Sequence, residues 1–411
     1  MEKPAPAKAP GDHRTSRREP ARHAPGRQAP AHRVLVLGAG RTGLLVTLLL
    51  ARRTRRARCR PTARGPRVHV TLVNPSERFT ERPRVHQVAA GQELARYDVT
   101  ALLAGTGVDF VRGRAQRIDT GAREVVVAAE DGARVLPYDT LVIALGVTTD
   151  TGAVPGAGAH ALTLDDPRAA HRLAGRLAAL AAAGGSLTVC GCGAAGVEAA
   201  AEIAESHPGL RVTLVGRDRP GAGLGDRARA HLDAALGRLG VRVVTGEVVR
   251  VLPGALALAD GTLLRTDACL WTAGTRGPGL AAGAGLATDA RGRVEVDGSL
   301  RSLSHPEVYA VGGAAAVRGT WHGSRGFGGS GLPSAAHAAG SIVRRLRGKR
   351  AGRPWSRSFH RPVGLGRRDA VVQFTRADGT PVPGCLTGRA AVAYRALLGA
   401  GPVRLYGLLR A

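Results

Sequence analysis

The stretch RVLVLGAGRTGLLVTLLLARR (residues 33–53) decides the fold of this chain. A short apolar run, typical of a buried strand, leads into the spacing GxGxxG at residues 38–43, and an apolar segment that predicts a helix follows. The next segment, VHVTLVN (68–74), predicts a second strand. Because strand, glycine loop, helix and strand follow in this order, the segment predicts a βαβ unit on a parallel sheet.

The same order recurs once along the chain. SLTVCGCGAAGVEAAAEIAE (186–205) again predicts a strand, a GxGxxG loop and a helix, and LRVTLVG (210–216) predicts the next strand. The first glycine of such a loop permits a tight turn, the second lets a pyrophosphate approach the backbone, and the third lets helix and strand pack closely. The chain therefore predicts two dinucleotide-binding units.

The remaining segments extend this pattern. DTLVIALG (139–146) predicts a further buried strand, and VYAVGG (308–313) predicts a strand that returns to the first sheet. The uncharged run at 177–197 is as long as a membrane span, but glycines interrupt it. We therefore interpret that run as a helix end, a turn, a strand and a glycine loop.

These elements predict an α/β fold with two nested Rossmann-like dinucleotide-binding domains and a small C-terminal α+β region. The predicted parts are a disordered basic tail at 1–31, a discontinuous first domain at 32–152 and 286–348, a second domain at 153–285, and a C-terminal region at 349–411.

Composition limits the function classes. The 411 residues carry a formal net charge of +28, and aromatic residues make up only 3%. A solvated basic surface explains the charge, and attraction to an anionic membrane or a nucleic acid is the alternative. Because aromatic residues are scarce and no nucleic-acid-binding motif is present, we predict no specific nucleic-acid partner. Five cysteines without disulfide or zinc spacing favour a cytoplasmic setting.

Several segments together resemble a known family. The paired glycine loops, VYAVGG (308–313) and the predicted helix at GLPSAAHAA (331–339) are similar to the FAD-dependent pyridine nucleotide oxidoreductases. ERPRVHQVAAG (81–91) and LGRRDAVVQF (365–374) resemble the branch of type II NADH dehydrogenases and apoptosis-inducing-factor-like flavoproteins. The resemblance implies an enzyme that passes electrons from NADH or NADPH through FAD to a quinone or another small acceptor.

The resemblance also implies roles for matching residues. Those implied for FAD are Gly38, Gly40, Arg41, Thr42 and Gly43 at the pyrophosphate, Asn74 at the ribose, Ala115 at the adenine, and Gly146, Gly312, Gly313, Pro333 and His337 near the flavin. Those implied for NAD(P) are Gly191, Gly193, Gly196 and Arg217. Two candidate catalytic residues follow, Glu198 beside the nicotinamide and His86 as a proton carrier near the flavin. A helix-terminal role for Glu198 and a core role for His86 are the alternatives.

The chain departs from the family pattern at three positions. The acid that usually ends the second strand of each unit is replaced by Asn74 and by Gly216. An asparagine can still bond a ribose hydroxyl, whereas Gly216 cannot, and the arginines that follow it suit either a 2′-phosphate or an ordinary basic surface. The choice between NADH and NADPH therefore stays open.

The third departure is Gly313. The family's strand here normally ends in Gly-Asp, and the carboxylate accepts a hydrogen bond from a ribityl hydroxyl of the flavin, whereas this chain has Gly312-Gly313. Losing a hydrogen bond to a charged group costs about 1.5–3 kcal/mol, which corresponds to a fall in FAD affinity of up to roughly 100-fold. The alternative function is therefore a degenerate, non-catalytic relative that binds a nucleotide with weakened affinity for FAD.

Two further segments bear on partners. No cysteine lies between Asn74 and Gly91, where disulfide-reducing members of the family carry a pair, so we predict no thiol relay. The segment 379–411 contains arginines and no acid. It suits either a helix on the inner face of the cell membrane, through which a quinone would be reached, or a helix docked on the first domain. A homodimer is left open.

Overall fold

The computed structural model describes residues 1–2, 31–58, 67–317, 331–351, 359–376 and 378–410. Most of the tail predicted as disordered, 1–31, lies outside these ranges. Within them the chain forms a mixed, mostly parallel sheet and a second, parallel sheet, both flanked by helices, and a smaller antiparallel sheet near the C-terminus. The predicted α/β class is confirmed.

The first sheet is built around the strand His32–Leu37. Its strands lie in the order Val308–Ala310, Thr140–Ile143, His32–Leu37, Val68–Asn74, Val108–Asp119, Glu124–Ala129 and Gly132–Pro137. Neighbouring strands are parallel as far as Val108–Asp119, and the rest form an antiparallel meander. Because the predicted strand at 308 pairs with Thr140–Ile143, its return to the first sheet is confirmed.

The core of the first unit lies between this sheet and its helices. The central strand is buried on both faces from Val34 to Leu37, as expected for a parallel strand covered on each side. The helices Arg41–Arg58 and Gly331–Leu346 pack against each other and contribute Leu44, Leu48 and Ile342 to the same core. The glycine loop therefore joins a buried strand to a buried helix.

The second sheet repeats the arrangement. Its parallel strands lie in the order Arg242–Thr245, Arg211–Gly216, Ser186–Cys190 and Ala268–Trp271. Its helices are Pro167–Ala182, Ala194–Ser206 and Asp226–Arg238. The uncharged run at 177–197 is divided among a helix end, a turn, a strand and a loop, as predicted. No helix in the described ranges is long and apolar enough to span a membrane.

Smaller elements complete the fold. A short antiparallel sheet contains Val248–Leu252, Ala255–Leu258 and Leu263–Arg265, and paired short strands are Arg78–Phe79 with Tyr97–Asp98, Thr148–Thr149 with Thr275–Arg276, and Val294–Val296 with Ala315–Val317. The short helices are Arg82–Arg84, Val85–Ala89, Val99–Leu103, Ala157–His160, Gly279–Gly283 and Gly312–Ala314. The pairing of Thr148–Thr149 with Thr275–Arg276 joins the two chain segments that run between the units.

The C-terminal region contacts both units. Its antiparallel sheet contains His360–Gly364, Ala370–Thr375 and Pro381–Thr387, and the helix Gly388–Arg410 follows. The sheet is fastened to the second unit, for example by Asp369, whose carboxylate lies 2.7 Å from His231 Nε2. The helix is fastened to the first unit, where the Tyr406 hydroxyl donates to the Arg41 carbonyl at 2.8 Å. The docking predicted as one alternative is therefore present.

Candidate functional site

The glycine loop of the first unit lies at the carboxyl edge of its sheet. Gly38 has φ +101°, and a Cβ there would lie 2.8 Å from the Ala144 carbonyl oxygen. A Cβ on Gly43 would overlap the Gly38 carbonyl oxygen, whereas a Cβ on Gly40 would meet nothing within 4 Å. The chain itself therefore requires the first and third glycines, and the second leaves its face open to a ligand.

The second glycine loop has the same geometry. Gly191 has φ +118°, and a Cβ there would lie 2.7 Å from Thr272 Oγ1. A Cβ on Gly196 would overlap the Gly191 carbonyl oxygen, and a Cβ on Gly193 would again meet nothing within 4 Å. Because the same open position occurs in both units, the loops are built to receive the same kind of group.

The electrostatics of both loops favour an anion. The helices Arg41–Arg58 and Ala194–Ser206 begin inside the loops, and neither has an acidic residue in its first turn. The backbone N–H groups of a first helical turn lack partners within the helix and carry a partial positive charge. In the first unit, Arg41 Nε is buried without a hydrogen-bond partner among the described residues. These features fit a pyrophosphate at each loop.

Asn74 orders the first loop. Its Oδ1 accepts a hydrogen bond from the Ala39 N–H at 2.9 Å, and its Nδ2 donates to the Ser76 carbonyl at 2.6 Å. The residue predicted at the ribose is thus engaged by the loop backbone. Ala115 lies farther along the neighbouring strand, beyond Arg112, which forms the last pair with Asn74. The backbone of Ala115 therefore lies past the end of strand Val68–Asn74, and its contact with an adenine stays a prediction.

Thr42 brings three parts of the first unit together. A Cβ on Gly312, which has φ +63°, would lie 2.9 Å from Thr42 Oγ1, and one on Gly331 would lie 2.8 Å from the same oxygen. The Gly312 N–H also donates to Ser334 Oγ at 3.0 Å. The turn after strand Val308–Ala310 and the start of helix Gly331–Leu346, with Pro333 in its first turn, therefore meet at the glycine loop.

Gly313 and Gly146 differ in what their surroundings require. Gly146 has φ +73°, and a Cβ there would lie 3.2 Å from Arg82 Nη1. A Cβ on Gly313 would meet the Val147 side chain at 3.4 Å, an ordinary van der Waals contact, and its φ is not left-handed. Packing therefore does not impose a glycine at 313. His337, predicted near the flavin, has its Nε2 3.0 Å from the Gly298 carbonyl oxygen.

The two candidate catalytic residues lie in neighbouring helices that contact each other, Val85–Ala89 and Ala194–Ser206. His86 is only 6% exposed. Burial lowers the pKa of His86, and the nearby carboxylates of Glu198 and Glu202 oppose that shift. The imidazole is therefore held mainly in its neutral form beside two acids.

Sequence reasoning missed the partners of Glu198. Its Oε1 accepts a hydrogen bond from the Gly364 N–H at 2.9 Å and from Arg395 Nη2 at 2.7 Å. The Arg395 guanidinium also lies against Gly364, where any Cβ would overlap it. Both partners come from the C-terminal region and lie far from Glu198 in sequence, so no local pattern could have indicated them. The carboxylate is thus held by the C-terminal region rather than by its own helix terminus.

The cysteines that the structure describes are free. Cys190 and Cys269 are buried with their sulfurs 3.6 Å apart, and the contact with Cys269, together with burial, raises the pKa of Cys190. Burial, assisted by the charge of Asp218, raises the pKa of Cys192 to about 11. The Cys190 and Cys192 thiols stay protonated near neutral pH, which favours packing roles.

Arg217 lies at the rim of the second unit. Its side chain is 75% exposed, and its Nη1 lies 3.8 Å from Glu247 Oε1. An ion pair this long and exposed contributes little to stability, so the guanidinium is available to a ligand.

Comparisons with known proteins agree with this geometry. Residues 32–341 match the family model described as pyridine nucleotide-disulphide oxidoreductase. An NADH dehydrogenase-like protein of Mycobacterium tuberculosis is 32% identical over 304 residues, covering 70% of this chain and 73% of that protein. The alternative NAD(P)H-ubiquinone oxidoreductase C1 of Arabidopsis thaliana is 27% identical and covers 70% of this chain and 62% of that protein.

A solved structure extends the likeness to nearly the whole chain. The sulfide:quinone oxidoreductase of Aquifex aeolicus superimposes with a TM-score of 0.75 at 18% identity, covering 92% of each chain. At this identity the likeness shows the shared fold. The family match is the stronger statement, because it spans both glycine loops, strand Val308–Ala310 and the first part of helix Gly331–Leu346. The chain is therefore an oxidoreductase that belongs to the pyridine nucleotide-disulphide oxidoreductase family.

Proposed function

We propose that this protein is an FAD-dependent NAD(P)H oxidoreductase that passes electrons from NADH or NADPH to a quinone or another small acceptor. The observation that carries the proposal is the pair of glycine loops with matching geometry, each with an open second glycine. The names of its relatives, an NADH dehydrogenase-like protein and an NAD(P)H-ubiquinone oxidoreductase, support the donor and the acceptor class.

The first unit would hold FAD. Its loop N–H groups and Arg41 would hold the pyrophosphate, and Thr42 and Gly312 would contact the rest of the cofactor. FAD supplies the capacity to accept a hydride and to return the electrons to a second substrate. The protein contributes binding and orientation, because hydride transfer needs close, aligned reactants more than an acid or base.

The second unit would hold the nicotinamide nucleotide, with Gly193 facing its pyrophosphate. Glu198 follows this loop on the helix Ala194–Ser206, and its carboxylate is fixed by Arg395. In the proposal Glu198 would contact the nicotinamide when the nucleotide is bound. His86, neutral and next to this carboxylate, takes up and releases a proton at its imidazole as the acceptor is reduced.

The C-terminal helix would bring the enzyme to its acceptor. Leu397 and Leu408 are 68% and 66% exposed on a helix without acidic residues. Exposed leucines on a basic helix favour contact with an anionic membrane surface. We propose a cytoplasmic enzyme bound peripherally to the inner face of the cell membrane, where a quinone is accessible.

A non-catalytic nucleotide-binding role is the second candidate function. Gly313 favours it, because the carboxylate that would hold the flavin is missing although the surroundings would accept a Cβ at this position. In that case the protein binds nucleotides but does not oxidise NADH or NADPH.

The test is oxidation of NADH and NADPH by FAD-supplemented protein with a water-soluble quinone. We expect turnover in the usual enzymatic range of roughly 1–10³ s⁻¹. Gly193→Val should keep bound flavin and thermal stability yet lose NAD(P)H oxidation, because its side chain enters open space where the pyrophosphate lies. Bound flavin without turnover would support the non-catalytic role. A protein that binds no flavin would contradict the assignment of FAD to the first unit in both candidate functions.

A further inference from the structure

The two units differ at one pair of structurally matching positions. In the first unit, the Gly38 N–H donates to the Val73 carbonyl at 2.8 Å, so the residues that follow each of these two, Ala39 and Asn74, face each other. The Ala39 N–H accordingly donates to Asn74 Oδ1 at 2.9 Å. A small loop residue here faces a strand-end residue with a polar side chain.

In the second unit the larger side chain lies in the loop, and the strand-end residue has none. The Gly191 N–H donates to the Val215 carbonyl at 2.7 Å, which makes Cys192 the counterpart of Ala39 and Gly216 the counterpart of Asn74. A Cβ on Gly216 would lie 2.8 Å from Cys192 Sγ and 3.0 Å from the Cys192 backbone nitrogen. The thiol thus takes the space of a strand-end side chain. The acid that accepts a ribose 2′-hydroxyl in NADH sites is excluded while Cys192 is present.

The groups that remain near the ribose belong to the turn after this strand. Arg217, Asp218 and Arg219 are all exposed. Among the residues that the structure describes, the ion pair of Arg217 is the long one with Glu247, so its guanidinium can turn to a ligand without breaking a strong pair. Two guanidinium groups suit a phosphate, because planar N–H donors match its oxygens and the charges are opposite. Asp218 is the competing group, since a carboxylate suits a free ribose diol.

We infer that the second unit takes NADPH in preference to NADH, with Arg217 and Arg219 binding the 2′-phosphate and Cys192 excluding the strand-end acid. This inference rests on the proposed function, in which the second unit holds the nicotinamide nucleotide. It assigns Cys192 a role in specificity that does not depend on thiol chemistry.

The test uses nucleotide fragments that lack nicotinamide, so it does not depend on flavin. Binding of 2′,5′-ADP and of 5′-AMP to the full-length protein is measured by isothermal titration calorimetry at low salt. We expect 2′,5′-ADP to bind about 10-fold tighter or more, the usual effect of a charge-assisted hydrogen bond. Arg217→Gln/Arg219→Gln should remove this difference. Arg211→Gln, at the opposite end of the same strand, should leave it unchanged.

A reciprocal exchange tests the role of Cys192. Cys192→Ala/Gly216→Asp copies the size pattern of the first unit, and it should shift the preference to 5′-AMP. Gly216→Asp alone should lower the Tm more than the double variant does, because the thiol is still in place. A double variant that keeps the preference for 2′,5′-ADP, or that is no more stable than Gly216→Asp, would contradict the exclusion of the acid.

Other outcomes separate this inference from the proposed function. Three results would overturn the inference. The unaltered protein could bind 5′-AMP as tightly as 2′,5′-ADP or more tightly, or it could bind neither fragment. In the third, Asp218→Asn loses more affinity for 5′-AMP than for 2′,5′-ADP. A protein that prefers 2′,5′-ADP but never binds flavin would uphold it while contradicting the proposed function. An active flavoenzyme that prefers 5′-AMP would do the reverse.

Discussion

The glycines of each loop serve different purposes, which a GxGxxG pattern does not distinguish. Gly38 and Gly43 are required by the turn and by the approach of helix to strand, because side chains there would meet backbone atoms. Gly40 meets nothing, so packing does not require a glycine there, and the close approach of a ligand accounts for the missing side chain. Glycine is therefore needed for folding at two positions of the loop and for ligand binding at the third.

This difference predicts that one glycine-to-alanine substitution lowers stability and that the other weakens FAD binding. Gly43→Ala should lower the free energy of unfolding by about 1–3 kcal/mol or more, since its Cβ overlaps the Gly38 carbonyl. Gly40→Ala should change it by less than about 0.5 kcal/mol yet weaken FAD binding. Urea unfolding of the cofactor-free protein and FAD titration measure the two effects. Equal destabilisation by both would contradict this division of roles.

Gly313 offers a gain-of-function prediction. Gly313→Asp should tighten FAD binding by roughly 10- to 100-fold, because it restores a charged hydrogen-bond acceptor. The surroundings accept a Cβ at ordinary contact distance from Val147. Gly313→Ala is the matched control, since it adds the same Cβ without the carboxylate. Fluorescence quenching of FAD gives both affinities, and equal values for the two variants would show that the carboxylate has no partner there.

At the scale of elements, the sequence predicted the sheets better than the site. Strand His32–Leu37, strand Val68–Asn74 and the return of Val308–Ala310 follow from apolar runs that end in glycines, and these signals are local. The partners of Glu198 could not be predicted, because Gly364 and Arg395 reach it only through tertiary packing. Local patterns specify elements, whereas long-range ion pairs depend on where those elements dock.

The contact between helices Val85–Ala89 and Ala194–Ser206 predicts acid sensitivity. Burial lowers the pKa of His86 below its ordinary 6.5, so below about pH 6.5 the unfolded chain binds more protons than the folded chain. The contribution of His86 to stability is therefore present above pH 6.5 and is lost as the pH falls toward the folded-state pKa. His86→Gln should reduce the loss by up to about 1.4 kcal/mol per pH unit.

Urea unfolding at pH 7.5 and 5.5 measures this effect. His32, His207 and His360 also have pKa values lowered mainly by burial, so the variant should keep part of the acid sensitivity. An identical pH dependence in His86→Gln and the unaltered protein would contradict the buried neutral state of His86.

At the scale of the whole molecule, the C-terminal region ties the two units together. Its sheet bonds the second unit, as in the 2.6 Å hydrogen bond from the Arg367 N–H to Glu205. Its helix bonds the first unit through Tyr406, whose ring also packs edge-on against Phe79 at 5.9 Å between centroids. This region therefore holds the two units in one mutual arrangement, as the proposed hydride transfer between their cofactors would require.

Tyr406 and Leu408 form a matched pair on this helix. Tyr406→Ala should lower the free energy of unfolding by about 3–5 kcal/mol, because the ring is fully buried. Leu408→Ala, at a position 66% exposed, should change it by less than about 0.5 kcal/mol. The same Leu408→Ala should weaken sedimentation with anionic vesicles. Equal stability of the two variants would contradict the docked helix, and unchanged sedimentation of Leu408→Ala would contradict the membrane contact.

The central claim is that the two units hold a flavin and its nicotinamide donor in one enzyme. The most direct measurement is the visible absorption spectrum of the purified, FAD-supplemented protein under nitrogen, before and after addition of NADPH or NADH. We predict a protein-bound flavin spectrum that bleaches on addition of the donor and returns when a quinone is added. A protein that binds no flavin, or whose bound flavin keeps its spectrum with both donors, would contradict the account.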